Sequence, residues 1–265
     1  MSESKREEVT RPVAEVYEEF FVPAILQAWA IRVTKAARIQ PGQTVLDVAC
    51  GTGVLARTVA KRVGPSGSVV GVDPNEGMLA VARRKAPTIE WREGRAEILP
   101  FEANSFDTVV SQFGLMFFED RRQAILEMMR VLRHGGRLVV AVWDSIENTP
   151  GDFAVVNLLH RLYGEGVAEG WLLAHSLGDL EILSALFSEA GVVGAGITRQ
   201  KGIARFPSLH AWLRIEVKAW LLADRMNELQ FEAFLAEAAE LLRPFVATDG
   251  TAALPAPAYI VTATK

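Results

Sequence analysis

The chain has one cysteine, Cys50, among 265 residues. A lone thiol closes no internal disulfide, so an oxidising compartment is not implied. Basic residues are not in excess, and the formal net charge is −4. That disfavours nucleic acid as a partner, because phosphate binding draws on clustered Lys and Arg. No apolar run of about 18 residues occurs, so no membrane-spanning helix is expected. Met1 to Glu8 is charged and has no apolar signal core, so a cytoplasmic protein is expected. There is no internal repeat or low-complexity tract, and no metal-ligand set is expected. Histidines number four, which leaves few candidates for a general base. What the chain does have is apolar content, half of its residues, enough for one large domain.

The segment from Val45 to Gly53 is the most informative. An apolar run reaches Asp47, passes through Gly51-Thr52-Gly53, and opens a helical pattern at Val54. A strand, a glycine turn and a helix N-terminus in this order let a ligand approach the backbone closely. With Ala56 in third place the glycines loosely fit a dinucleotide fingerprint, which is a weak signal alone. Asp47 discriminates. A carboxylate ahead of the loop repels a pyrophosphate and suits a ligand with an ammonium, such as S-adenosylmethionine (SAM). A second run, Ser68 to Asp73, ends in an acid 20 residues beyond Gly53. That offset suits a ribose grip and fits SAM and NAD equally.

Periodicity predicts two helices before the first strand, on either side of Pro23. Strands are expected near 44–49, 68–73, 88–92, 107–111 and 137–143, with helices near 54–63, 75–85 and 120–133. Such alternation implies a parallel sheet, and Gly135-Gly136 should stop the last of these helices. Beyond Trp143 a helix is expected from Phe153 to Tyr163. Another should run from Ser176 to Ala190, capped by Ser176 and ended by Gly191. A strand near Gly196 to Ala204, helices over 208–223 and 227–243, and a last strand from Ala258 to Thr264 complete the chain.

Four stretches in order, VLDVACGTG, VVGVDPNEGMLAVARRK, EGRAEILPFEANSFDTVVSQFGLMFF and EMMRVLRHGGRLVVAVW, resemble the class I SAM-dependent methyltransferases. They are most similar to the family that includes the ubiquinone and menaquinone C-methyltransferases. The resemblance covers residues 44–143. It implies an α/β, Rossmann-like fold: a seven-stranded, mostly parallel sheet with helices on both faces, a last strand that is antiparallel and inserted between the fifth and sixth, and a helical lid. It also implies three parts. Residues 1–40 would be helices over the cofactor site, 41–150 the SAM-binding core, and 151–265 the remaining strands with an inserted substrate lid. The activity implied is methyl transfer from SAM, giving S-adenosylhomocysteine, to a small hydrophobic or aromatic acceptor. The alternatives are a SAM-binding sensor or partner subunit without transferase activity, and an NAD-dependent oxidoreductase, against which Asp47 argues.

Ligands of open α/β sheets bind beyond the carboxyl ends of the strands. That rule, with the resemblance, selects Asp47, Ala49, Gly51, Thr52, Gly53, Asp73, Pro74, Met78, Ala96, Glu97, Ser111, Gln112 and Phe113 as cofactor-binding. Tyr17 and Phe21 join them from the N-terminal helix. Gly51 and Gly53 should admit the methionine moiety against the backbone. Relatives commonly carry an aspartate for the adenine amino group where this chain has Arg95, which cannot accept a hydrogen bond. Adenine reading should then pass to the Ala96 backbone and Glu97. Gln112, His175 and Asp144 are the catalytic candidates, with His160 and His210 behind them. Cys50 reads as packing. Asp107 and His134 lie at the wrong ends of their strands. Trp212, Leu213, Trp220, Leu221, Phe231, Phe234 and Leu235 read either as packing or as an apolar substrate pocket.

Overall fold

The computed structural model describes residues 13–222 and 226–265, the side chains of 219–221 excepted. The charged stretch Met1 to Glu8, the end of the expected 208–223 helix, and the Trp220 and Leu221 side chains lie outside the described residues. The sheet is assembled around β1 (Thr44–Val48), whose apolar side chains are buried on both faces. It pairs in parallel with β2 (Ser68–Asp73) and β4 (Phe106–Gln112). Outward from these lie β3 (Glu90–Glu93) and β5 (Leu132–Trp143). The C-terminal β9 (Ala258–Thr264) runs antiparallel between β5 and β6 (Gly196–Gln200), giving the order β3-β2-β1-β4-β5-β9-β6. This is the expected seven-stranded α/β sheet. Helices α2 (Val54–Val63), α3 (Glu76–Lys85) and α4 (Arg121–Val131) supply the parallel crossovers.

The N-terminal region differs from expectation. Pro23 separates no helices: one helix, α1, runs over 13–36, and Tyr17–Leu26 within it is wound as a π-helix. Proline lacks an N–H and crowds the carbonyl a turn back. The wider π turn accommodates it without breaking the rod. Strand β5 begins at Leu132, paired with Phe106, so α4 stops at Val131 and Gly135-Gly136 lie inside the strand's irregular entry. Farther on, α5 (Pro150–Tyr163) and a short unexpected helix, α6 (Glu169–Ala174), precede α7 (Leu180–Glu189). Asp179, not Ser176, caps α7, accepting from the Glu181 and Ile182 amides. The Ser176 hydroxyl instead accepts from Arg121 at 2.9 Å.

The strand expected over 196–204 splits at Gly202. A side chain there would meet the Ala256 carbonyl at 2.1 Å and the Trp29 ring at 2.7 Å. The chain turns at that contact into β7 (Ile203–Phe206), which pairs with an unforeseen β8 (Ala252–Pro255) in a separate ribbon. Helix α8 follows over 209–221, α-helical to Leu213 and π-wound from Arg214. Helix α9 (Glu228–Leu242) opens with the expected Asn227–Gln230 capping box. Among the described residues no helix is long and apolar enough to cross a membrane.

Candidate active site

Two buried carboxylates build the glycine loop. Ala49, Gly51 and Gly53 all have left-handed φ, at 57°, 55° and 85°. Asp47 accepts from the Ala56 amide in the first turn of α2 at 2.9 Å, and only 1% of its surface is exposed. Burial pushes its carboxyl well above the usual range. It holds the loop from beneath. Asp73 accepts from the Gly51 amide at 2.8 Å and from the Asn75 amide at 2.9 Å. Asn75 itself caps α3 through the Met78 amide, and Met78 is half-buried above it.

The two glycines have different jobs. A Cβ on Gly51 would stand 4.0 Å from the Tyr17 ring, so its outer face is open to a ligand. A Cβ on Gly53 would lie 2.3 Å from the Trp91 indole, so that face is already covered by protein. Trp91 fills the side on which a Gly53 side chain would lie, so glycine is required there for packing as well. Trp91 was not a sequence candidate, and a tryptophan in a short edge strand was the available signal.

Beyond the strand ends lies a cavity of about 160 Å³, lined by Ala49, Pro74, Gly94 to Glu97 and Phe117 to Glu119. Its rim is an ion pair, Arg95 to Glu119 at 2.6 Å, with Glu97 3.5 Å from Arg95. The other Glu97 oxygen accepts from the Glu119 amide at 2.9 Å. Arg95 thus closes the rim and half of it faces water. Replacing it by aspartate should weaken SAM binding less than about tenfold, since exposed pairs contribute little. Titration calorimetry giving a larger loss would make Arg95 a cofactor contact. A larger groove, about 710 Å³, opens among Thr44, Ser68, Glu90 and Phe106. It lies at the amino ends of the strands, away from where such sheets bind ligands.

On the opposite side of the loop, α1 covers β4. Glu18 pairs with Arg57 of α2 at 2.8 Å, and Gln112 donates to the Leu26 carbonyl at 3.1 Å. These contacts hold Tyr17 above Gly51 and Phe21 beside it, with ring centroids 6.3 Å apart. Burial, then the charges of Asp73, Glu18 and Asp47, push the Tyr17 phenol up. The Ser111 hydroxyl, the Gln112 carbonyl oxygen and the Thr52 hydroxyl are buried without a partner among the described residues. Phe113, with φ 57°, stacks on Trp143 at 3.5 Å between centroids.

The remaining catalytic candidates lie past β5. Asp144 is fully enclosed. One oxygen accepts from Ser145 and Asn148, at 2.8 and 2.9 Å, and the other is paired with Arg199. That makes it a clasp between β5 and β6 rather than the base expected from its position. His175 is buried, with Nδ1 2.7 Å from the Asp144 carbonyl and Nε2 3.6 Å from Asp152 of α5. Desolvation pulls its pKa down, but Asp152 and Asp144 prevail and raise it. Asp152 and Glu216 were missed. Glu216 stands among Trp212, Leu213, Ile215 and Val217, and an acid in such an apolar stretch was a signal in the sequence.

Residues 45–136 match the family model of a methyltransferase domain. The chain is 35% identical to the ubiquinone/menaquinone biosynthesis C-methyltransferase UbiE of Hahella chejuensis, over 63% of this chain and 74% of that protein. It is 36% identical to a demethylmenaquinone methyltransferase of Listeria monocytogenes, over 62% and 75%. Among solved structures, the YcgJ protein of Bacillus subtilis superposes with a TM-score of 0.60 at 24% identity, over 89% of this chain and 98% of that one. Phosphoethanolamine N-methyltransferase 2 of Haemonchus contortus, solved with S-adenosylhomocysteine, does so at 0.57 and 16% identity, over 90% and 52%.

The open face of Gly51, the cavity beside Ala96 and the unpartnered Ser111, Gln112 and Thr52 atoms fit a ligand with a nucleoside and a polar amino-acid tail. Fold and site together define a class I SAM-dependent methyltransferase. SAM, when bound, supplies a methyl group activated on a sulfonium. The chain belongs to the ubiquinone/menaquinone C-methyltransferase family.

Proposed function

We propose that the chain transfers the methyl group of SAM to a ring carbon or ring oxygen of a small aromatic acceptor, a reduced quinone being the first choice. The observation that carries this reading is a continuous aromatic band. Phe20 and Phe21 of α1 meet Phe206, at 5.4 and 6.1 Å. Phe206 stacks on Trp212 at 5.4 Å, and Trp212 meets Trp171 edge-on at 5.9 Å. The band leads from Tyr17, over the cofactor loop, to the helices past β5. Planar apolar ligands suit such walls. The quinone-directed names of the relatives agree with it.

In this reading α1 and residues 151–265 enclose the acceptor, 41–150 hold SAM, and the enzyme works in the cytoplasm. Asp73 grips the ribose, Ala96 and Glu97 frame adenine, and Gln112 with Ser111 orients the amino-acid tail. His175, held between Asp152 and the Asp144 carbonyl, organises the acceptor side. Orientation of the reactants and exclusion of water contribute to the rate enhancement.

The test is release of S-adenosylhomocysteine from purified protein given SAM and a short-chain prenylated naphthohydroquinone, a catechol, or an amino acid. Turnover of the aromatic acceptors is expected. Turnover of the amino acid alone defeats the reading. A second reading, SAM binding without transfer, is kept because the fold alone does not fix the reaction: the cyclase SpnF shares it with a TM-score of 0.54 at 22% identity. SAM binding with no turnover of any acceptor would support it.

A further inference from the structure

Glu18 brings a buried carboxylate to the cofactor loop, and half of it is without work. Only 8% of the residue is exposed. Both cations that approach it do so at one oxygen, Oε1: Arg57 of α2 at 2.8 Å and Lys85 of α3 at 3.9 Å. Arg84, next to Lys85, is taken by Glu15 at 2.8 Å. The other oxygen of Glu18, Oε2, is buried with no hydrogen-bond partner among the described residues. A buried acceptor left without a donor is destabilising, and more so when it carries charge.

Contacts place this carboxyl at the loop. The Arg57 guanidinium donates from one nitrogen to Glu18 and from the other to the Thr52 carbonyl. Glu18 is thus one guanidinium away from the backbone between Gly51 and Gly53. Thr52 is 1% exposed, and its hydroxyl is the second unpartnered oxygen here. Tyr17, the residue before Glu18, sets its ring 4.0 Å from where a Gly51 side chain would begin. The other acids of the loop are engaged. Asp73 gives one oxygen to the Gly51 amide and one to the Asn75 amide, and Asp47 accepts from the Ala56 amide.

We propose that Glu18 Oε2, together with the Thr52 hydroxyl, receives the α-ammonium of the SAM amino-acid tail, so that Glu18 selects a ligand carrying that amino group. This rests on the reading in which the tail lies over Gly51. A carboxylate only accepts and a hydroxyl can accept, whereas an ammonium only donates, so one ammonium satisfies both oxygens. Bonds between two charged groups are the stronger kind. Glu18 also shares a turn of α1 with Phe21, so the bound ammonium pins the start of the aromatic band against the loop.

Titration calorimetry on wild type and Glu18→Gln tests this with four ligands. They are SAM, S-adenosylhomocysteine, the S-adenosylhomocysteine analogue with hydrogen in place of the amino group, and 5′-methylthioadenosine, which has no tail. Glu18→Gln should bind the first two roughly 10- to 100-fold more weakly than wild type. It should bind the last two within about twofold of wild type, because they lack the group that Glu18 meets. Wild type should prefer S-adenosylhomocysteine to its deaminated analogue by a similar factor, and the variant should lose that preference. Thr52→Val keeps the backbone carbonyl that Arg57 holds. It should show the same pattern with a smaller factor, and it decides the question if Glu18→Gln does not fold.

An equal loss for all four ligands overturns the proposal, since Glu18 would then only hold α1 against the loop. A loss confined to SAM also overturns it, because the sulfonium would be the group sensed, and so does no loss at all. Wild type that binds none of the four overturns the cofactor assignment as well.

Discussion

Asp73→Ala should bind SAM at least about 100-fold more weakly than wild type. The carboxylate takes the amides of Gly51 and Asn75 at once, and each buried amide left unpaired costs about 1–3 kcal/mol. That cost falls on the conformation of a loop whose Ala49, Gly51 and Gly53 already occupy left-handed φ. With Asp73 gone, the Gly51 amide loses its acceptor, and on the proposed reading so does the ribose. Asp73→Asn should fall between, since its amide nitrogen must face one of the two donors it replaces. Calorimetry with SAM and with S-adenosylhomocysteine measures the loss, and circular dichroism checks the fold. An affinity within threefold of wild type would show that the loop is held by something else.

Gly178→Ala should destabilise the folded state by at least about 3 kcal/mol, more than ordinary overpacking. A Cβ there would stand 1.9 Å from the Ser145 nitrogen and 2.3 Å from the Asp144 carbonyl carbon. These are backbone atoms of the turn after β5. That turn is fixed by the bonds from Ser145 and Asn148 to Asp144 and by the pairing with Arg199. It cannot yield without breaking the clasp and releasing His175, which bonds the same Asp144 carbonyl at 2.7 Å. A fall in melting temperature of roughly 6–12 °C is expected for a domain of this size. A fall of under 2 °C would mean that the two loops separate freely.

The sequence by itself determined the sheet and the cofactor loop. An apolar run, a glycine turn and an amphipathic helix recur from Thr44 to Trp143 because short-range patterning is what a parallel βα unit needs, and each unit carries its own signal. The acids at Asp47 and Asp73 were legible for the same reason, since they stand at fixed offsets from that turn. Tertiary structure decided what depends on partners far along the chain. Trp91 covering Gly53, the split at Gly202 against Trp29 and Ala256, and the passage of α1 through Pro23 are contacts between segments that no local period records. So is the fate of the two candidates past β5. Asp144 was drawn into a clasp by Arg199, and His175 was set between the Asp144 carbonyl and Asp152, because burial and neighbouring charge exist only once the chain has closed on itself.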